Sequence, residues 1–240
     1  MPGLGGIGSF WARQVAEFAR DFRVITHDHR GTGQSSRSRI DYSVEQMADD
    51  VLRLMDALEI DAASFVGHST GGAIGQIIAQ DRPERTNRLV LSATWAGEDN
   101  FFRRSFEMRK ELLRTGGMQS YVRGSVLMQR PPAWIHAHEA ALREEEATIL
   151  ADPPDAEILR SRIDAIIRFD RRARLGQIKA PTLVVVAQDD MVTPSYMSEE
   201  LAAKIPGAEL SVLPHGGHFV PTIEPAAYNR AVSRFLRRHM

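Results

Sequence analysis

Short apolar runs alternate with amphipathic segments along most of the chain. The runs are rich in β-branched residues, which is typical of strands that are buried on both faces. Ahead of the first run, Trp11, Val15 and Phe18 recur at helical spacing. Further on, Ser43 is followed three residues later by Gln46, the spacing of a helix capping box. The predicted strands are Arg23–Thr26, Ala63–Val66, Arg88–Leu91, Thr182–Ala187 and Glu209–Leu213. This alternation predicts a doubly wound, mostly parallel α/β sheet.

The alternation stops between residues 96 and 175. This stretch has helical spacing, is rich in Arg, Glu, Met and Leu, and is interrupted by Gly116-Gly117 and Pro131-Pro132. We interpret it as a helical lid (96–175) inserted into an α/β core made of residues 1–95 and 176–240. A separate helical domain is the alternative interpretation. The insertion is favoured because strands resume afterwards and still need the sheet of the first half.

Composition and charge exclude several classes of function. The chain has 43% hydrophobic and 25% charged residues and a formal net charge of −1, so neither nucleic acid nor an anionic membrane is an expected partner. It has no cysteine, which excludes disulfides, thiolate catalysis and cysteine zinc sites and is compatible with a cytoplasmic location. The N-terminal residues do not have the pattern of a signal peptide, and no uncharged apolar stretch is long enough to span a membrane. A homodimer is left open.

The strongest chemical signal is the segment Gly67-His68-Ser69-Thr70-Gly71-Gly72. It follows one predicted strand directly and begins a helical run, so it has the G-x-S-x-G pattern in the context of a strand–turn–helix. Such a sharp turn strains the serine backbone and exposes its hydroxyl at the carboxyl edge of the sheet, close to a helix N-terminus. Ser69 is therefore the predicted nucleophile.

A serine nucleophile needs a base, and the base needs an orienting acid. With this turn the expected chain order is serine, acid, histidine. The most apolar strand runs into Asp189 and Asp190, which compete for the role of acid. Successive side chains at a strand end point in opposite directions, so only one of them can face the histidine. We favour Asp190, which directly precedes the turn closed by Thr193-Pro194, and expect Asp189 to be a surface or turn carboxylate.

The last predicted strand leads to Pro214-His215-Gly216-Gly217-His218. The two glycines form a loop that can bring His218 over the serine, so His218 is the predicted base and His215 the competitor. The His-x-x-His spacing also admits a metal site. Metal sites need further ligands, and none is clustered nearby in the sequence. No metal and no other cofactor is expected.

Two backbone N–H groups should form the oxyanion hole. The residue after the nucleophile, Thr70, supplies one, and Leu4 in the glycine-rich N-terminal segment is the best candidate for the other. The segment Asp28-His29-Arg30-Gly31-Thr32-Gly33-Gln34-Ser35 has some likeness to a phosphate loop, but it lacks the Gly-Lys-[Ser/Thr] ending. We expect it to be a salt-bridged turn that braces the active-site edge.

At these motifs the chain resembles the α/β-hydrolase superfamily along nearly its whole length. Within the superfamily it is most similar to the RutD-like family, named for hydrolysis of aminoacrylate or carbamate in bacterial pyrimidine catabolism. The segments that carry the resemblance are GLGGIGSFW, DHRGTGQS, DYSVEQMA, GHSTGG, RRSFEMRKELLRTGG, PPAWIHAH and LPHGGH. In that family the Gly-Leu-Gly-Gly loop follows about three strands, and Met1 stands where the third would end. We therefore expect Met1 to be an internal methionine of a longer natural protein.

The resemblance implies an α/β-hydrolase fold, a Ser69–Asp190–His218 triad and a small polar substrate with a C–N or ester bond. The reaction expected is hydrolysis through an acyl-enzyme, with the lid closing over the sheet edge and Trp95, Phe102 and Trp134 among the pocket walls. A carboxylesterase and an enol-lactonase are alternatives. An inactive ligand-binding or truncated scaffold is the alternative from another class.

Overall fold

Four parallel strands form one sheet whose spatial order is the order of the chain. The computed structural model describes residues 1–238. Strand pairs are in register at, for example, Val66 with Val90, and Leu183 with both Val90 and Glu209. The strands are β1 (Ala63–His68), β2 (Thr86–Ser92), β3 (Thr182–Ala187) and β4 (Glu209–Leu213). Four of the five predicted strands are therefore confirmed.

The central strands are buried on both faces. All six residues of β3 are buried, and they alternate between two apolar clusters: Val184 packs into one, and Leu183 and Val185 into the other. On β2, Leu89 packs into the same cluster as Val184, and Val90 packs into the other. Side chains on a strand alternate between the two faces, so each face of the sheet has its own helical cover.

Helices cover both faces and also fill the segment between β2 and β3. They are α1 (Ala12–Phe18), α2 (Val44–Ala57), α3 (Thr70–Asp81), α4 (Asn100–Gln129), α5 (Pro132–Ala137), α6 (Glu139–Ala151), α7 (Ala156–Arg168), α8 (Ser195–Lys204), α9 (Val220–Ile223) and α10 (Pro225–Arg238). The Ser43 hydroxyl accepts the N–H of Gln46 at 3.0 Å and caps α2, as its sequence predicts. Gly117, with φ of 67°, divides α4 into two parts.

The helices α4 to α7 form the segment interpreted from the sequence as a lid. Phe102 and Phe106 of α4 and Ile163 of α7 belong to the same apolar cluster as Leu89 and Leu91 of β2. These helices therefore share a core with the sheet. The exact bounds of the lid stay a prediction.

The predicted strand Arg23–Thr26 is wrong, because this segment forms no regular structure. Ile25 within it is 42% exposed. A strand needs a hydrogen-bonding neighbour. Among residues 1–238, the partner at the outer edge of β1 is Met1, whose amine donates to the Val66 carbonyl at 2.7 Å and whose carbonyl accepts the His68 N–H at 3.0 Å. An apolar run shows that the side chains suit a buried strand, but it does not show that another strand lies beside it to form hydrogen bonds.

Two isoleucines test this description of the core. Ile78 on α3 is fully buried, so Ile78→Ala should lower the free energy of unfolding by about 2–5 kcal/mol, the usual cost of truncation in a core. Ile25→Ala removes an exposed side chain and should cost less than about 1 kcal/mol. Urea unfolding of both variants measures the difference. An equal cost at the two positions would mean that residues 23–26 pack as a core strand after all.

Candidate active site

Ser69 alone connects strand β1 to helix α3. Its backbone has φ of 53° and ψ of −118°, a conformation that costs a non-glycine residue about 1–3 kcal/mol. The surrounding chain holds it there. Its N–H donates to the Ser92 carbonyl at 2.8 Å, and its own carbonyl accepts the Thr94 hydroxyl at 2.8 Å and the Gly72 N–H at 2.8 Å. The backbone of Ser69 therefore has the strained conformation that the G-x-S-x-G pattern predicts, whereas the residue is only 6% exposed.

Two glycines permit close packing around this turn. A methyl group on Gly72 would lie 2.7 Å from atoms of the Thr94 side chain, so only glycine lets α3 approach β2 here. A methyl group on Gly3 would lie 3.2 Å from Cβ of Ser69. The N-terminal glycine-rich loop therefore lies directly against the predicted nucleophile.

His218 and Asp190 form a buried pair. His218 Nδ1 lies 2.9 Å from Asp190 Oδ2 and 3.2 Å from Oδ1, and the two residues are 4% and 3% exposed. Asp190 also accepts the N–H groups of Val192 at 2.8 Å and Thr193 at 3.0 Å, and the Thr193 hydroxyl at 3.0 Å. These bonds fix the direction in which the carboxylate faces the imidazole.

The competing residues have other positions. Asp189 accepts the Gly217 N–H at 2.8 Å and the Gly216 N–H at 3.4 Å, so it holds the loop that carries His218. This contact makes Asp189 a turn carboxylate, as expected, but its partner loop could not be predicted from residues so far apart in the chain. His215 is exposed to solvent. Sequence reasoning also missed Thr193, although a hydroxyl three residues after the predicted acid was a usable signal.

Ser69 and His218 lie at the same edge of the sheet, because parallel strands β1 and β4 end there. The ring of His68, next to the serine, is 4.8 Å from the ring of His218 and stacks on Phe10 at 4.8 Å. Within residues 1–238, the hydrogen bonds include none between Ser69 Oγ and His218 Nε2. Catalytic hydrogen bonds are often long without substrate and tighten when it binds.

The loop of residues 3–6 approaches Ser69 as a tight turn. The Gly6 N–H donates to the Gly3 carbonyl at 2.9 Å, and the Gly6 carbonyl accepts the His29 N–H at 2.7 Å and the Thr32 hydroxyl at 2.9 Å. Leu4, a predicted oxyanion donor, is buried in this turn. Thr70, the other predicted donor, is the first residue of α3, where a backbone N–H has no acceptor within its helix.

The segment after residue 27 is a braced turn. Arg30 Nε donates to Asp50 Oδ2 at 2.9 Å, and Asp28 Oδ1 accepts the Gly8 N–H at 2.7 Å. Its structural interpretation from the sequence is therefore confirmed. No three His, Asp or Glu side chains of residues 1–238 are grouped so that they could hold a metal ion.

The three predicted pocket residues have different environments. Trp95 and Phe102 are fully buried with ring centroids 4.7 Å apart, so the structure places them in the core, without a free surface for a substrate. Core packing around β2 explains this, since Trp95 follows that strand closely. Trp134 is partly exposed, stacks on His138 at 4.2 Å, and lies beneath the Arg130 guanidinium at 5.4 Å. The same guanidinium lies 4.9 Å from the Phe219 ring, beside His218.

Comparison with known proteins decides the family. The model of the alpha/beta hydrolase fold family matches residues 1–225. The chain belongs to the α/β-hydrolase family. This α/β-hydrolase therefore has the fold that its sequence predicts. None of the helices described in residues 1–238 is long and apolar enough to cross a membrane.

Individual relatives show which members of the family this chain is similar to. The α/β-hydrolase is 40% identical over 235 residues to "Putative carbamate hydrolase RutD" of Caulobacter sp. (strain K31), covering 98% of this chain and 88% of the relative. A protein of the same name from Azorhizobium caulinodans is 39% identical over 97% of this chain and 88% of its own length. The resemblance to RutD-like hydrolases is thus confirmed.

Solved structures agree on the fold. A hydrolase from Pseudomonas aeruginosa PA01 is 33% identical with a TM-score of 0.89, covering 98% of this chain and 87% of the other. The enol-lactonase of Burkholderia xenovorans LB400 is 30% identical with a TM-score of 0.90, over 98% and 89% of the two chains. The roles of individual residues in this α/β-hydrolase stay predictions.

The backbone of Ser69 allows a test that needs no substrate. Ser69→Gly and Ser69→Ala both remove the hydroxyl, but only glycine accepts a positive φ without strain. We expect the glycine variant to be about 1 kcal/mol more stable than the alanine variant in urea unfolding. At an unstrained position the order is reversed, since glycine loses more entropy on folding. Finding the alanine variant more stable would contradict the strained turn.

Two buried histidines, His29 and His68, and the partly buried His27 make stability depend on pH. Burial lowers the pKa of His27 to about 4 and lowers the pKa values of His29 and His68 well below 6.5, with nearby cations adding to the effect. Below pH 6.5 these histidines bind protons in the unfolded chain but not in the folded chain. Their contribution to the free energy of unfolding is therefore fully present above pH 6.5 and is lost as the pH falls towards 4. Urea unfolding at pH 7.5, 6.5 and 5.5 should show this decline.

The matched variant for this pH dependence is His27→Asn, which removes one titrating group. Its stability should fall less steeply between pH 6.5 and 5.5 than that of the parent, by up to about 1.4 kcal/mol per pH unit. Identical slopes for the two proteins would show that His27 titrates normally in the folded state.

Proposed function

We propose that this α/β-hydrolase is a serine hydrolase that works through an acyl-enzyme. Ser69 Oγ attacks the substrate carbonyl, His218 takes the proton and returns it to the leaving group, and Asp190 holds the imidazole. Water then attacks the acyl group with His218 again as base, which releases the acid and regenerates Ser69. The observation that carries the proposal is the buried Asp190–His218 pair at 2.9 Å, at the sheet edge where Ser69 stands.

The oxyanion of the tetrahedral intermediate is bound by the N–H groups of Thr70 and Leu4 in this proposal. The contact between Gly3 and the serine supports it, since a methyl group there would lie 3.2 Å from Ser69 Cβ. The position of Thr70 at the N-terminus of α3 supports it too, because helix dipoles favour negative charge at that end. Each such donor contributes about 10²–10³-fold to kcat in enzymes of this chemistry.

The proposed substrate is a small carbonyl compound with a carbamate-type C–N bond, because an acyl-enzyme forms by breaking a bond to the attacked carbonyl carbon. The names of the RutD relatives support this class. An ester or an enol-lactone is the alternative, supported by the likeness to the Burkholderia enol-lactonase. The lid of residues 96–175 would close over the site, with Trp134 as the predicted pocket residue that retains exposed surface.

The second candidate is an inactive ligand-binding scaffold. Within the described residues Ser69 Oγ and His218 Nε2 are not hydrogen-bonded, an arrangement that both an active enzyme without substrate and an inactive scaffold can have. Covalent labelling separates the two functions, because only an activated serine reacts with a fluorophosphonate probe.

Labelling and hydrolysis together test the proposed function. The protein should take up one fluorophosphonate at Ser69 and hydrolyse at least one member of a panel of p-nitrophenyl esters, enol-lactones and carbamates. Ser69→Ala should abolish labelling and lower kcat at least about 10³-fold. An unlabelled protein that is inactive on the whole panel would instead be the scaffold.

Paired variants test the assignment of the acid and the base. Asp190→Asn should lower kcat about 10⁴-fold by stabilising the wrong imidazole tautomer. Asp189→Asn keeps an acceptor oxygen for the Gly217 N–H and should retain activity within about tenfold. His218→Gln should inactivate the enzyme, and His215→Gln, at an exposed position, should not. A reversed order within either pair would overturn that assignment.

A further inference from the structure

We propose that Arg162, on helix α7, is a positioning residue for the oxyanion hole. It holds the loop of residues 3–6 in the shape that aims the Leu4 N–H at the substrate. Because Arg162 belongs to the helical segment between β2 and β3, the oxyanion hole would be complete only while α7 is docked on the core. This inference rests on the serine hydrolase function proposed above.

The Arg162 side chain joins two loops beside the active site. Its Nη2 donates to the Leu4 carbonyl at 3.0 Å, and its Nη1 donates to the Arg30 carbonyl at 2.8 Å. Nη2 also lies 3.0 Å from Nδ1 of His29, which burial keeps neutral at physiological pH by lowering its pKa, so that this nitrogen can accept. One guanidinium from α7 therefore bonds three groups on two loops far away in the chain.

The loop of residues 3–6 depends on Arg162 at the Leu4 carbonyl. Its far end is held independently, because the Gly6 carbonyl accepts the His29 N–H at 2.7 Å and the Thr32 hydroxyl at 2.9 Å. The Leu4 carbonyl has Arg162 as its partner among the described hydrogen bonds. The Leu4 side chain stays packed in the apolar cluster, so losing the guanidinium would release the Leu4 backbone alone. Displacements of about 1 Å at a catalytic group can cost about 10²-fold in rate.

Burying the charge of Arg162 costs free energy, which argues against a role limited to filling space in the core. The side chain is 1% exposed, and the ion pairs of residues 1–238 include none with Arg162, whose Nε also has no partner. Burial lowers the pKa of Arg162 to about 10, which reflects the cost of desolvating the cation. An apolar residue of similar size would fill this space at lower cost.

The position of this uncompensated cation suits a site that develops negative charge. The Tyr42 ring lies 5.7 Å from the guanidinium, but no carboxylate of the described part of the chain forms an ion pair with it. A positive charge that touches Leu4 favours the oxyanion electrostatically, in addition to fixing the loop. The contrast with Arg30 is clear, since that residue of the neighbouring loop is paired with Asp50.

The experiment compares three variants with the wild-type enzyme on one ester that the wild type hydrolyses. Arg162→Met should lower kcat about 10²-fold with little change in KM, because the loop shapes the transition state more than the bound substrate. Arg162→Lys keeps the charge but cannot reach three acceptors, so its kcat should lie between those of the wild type and Arg162→Met. Arg160→Met changes an exposed arginine on the same helix that forms an ion pair with Glu157, and this variant should behave as wild type.

A purely structural role would give a different result. If Arg162 only stabilises the fold, the variants will unfold at lower urea concentration while the folded fraction keeps the wild-type kcat, which would overturn the proposal. If Arg162→Met does not fold, the kcat of the more conservative Arg162→Lys decides. Added guanidinium at millimolar concentration should restore part of kcat in Arg162→Ala and none in Ser69→Ala.

The proposed function can fail separately from this inference. A wild-type protein that neither hydrolyses the ester nor reacts with fluorophosphonate contradicts the serine hydrolase and the positioning role together. An active wild type with unimpaired, folded Arg162→Met and Arg162→Lys variants contradicts the positioning role alone.

Discussion

A turn of one residue between β1 and α3 is the constraint on which the site depends. Ser69 must reverse the direction of the chain alone, and it does so with φ of 53°, a conformation that only a surrounding network can maintain. The Ser92 carbonyl and the Thr94 hydroxyl supply that network from the end of β2. The turn places Ser69 at the carboxyl end of β1, the edge of the sheet where the other parallel strands also end.

The remaining parts reach that edge from separate places in the chain. Asp190 comes after β3 and accepts N–H groups of its own loop, such as that of Val192. His218 comes after β4, and its loop is held to the loop after β3 by the Gly217 N–H on Asp189. The two side chains meet at 2.9 Å. The two neighbouring carboxylates have different partners. Asp189 accepts a backbone N–H of the histidine loop, and Asp190 faces the imidazole. Arg162 extends this arrangement to the helical segment. Its contact with Leu4 makes the position of α7 part of the chemistry we propose.

Much of this could be predicted because its signals are local. The cap of α2 at Ser43 and the turn at Ser69 depend on residues close together in sequence, and both have the expected geometry. Pairing is not local, which is why residues 23–26 have the composition of a strand without forming one. Trp95 was expected at a pocket wall, but the aromatic packing that buries it could not be inferred from its type alone. Arg162 gave no signal, since its partner Leu4 is 158 positions away.

The most direct test of the account is to trap the acyl group that it requires. Rapid mixing of the protein with a p-nitrophenyl ester should release a burst of p-nitrophenol close to one equivalent of enzyme, followed by slower turnover. Intact mass measured during the burst should rise by the acyl group, and peptide mapping should place that group on Ser69. Ester hydrolysis with no acyl-enzyme, or with the acyl group on another residue, would contradict the mechanism.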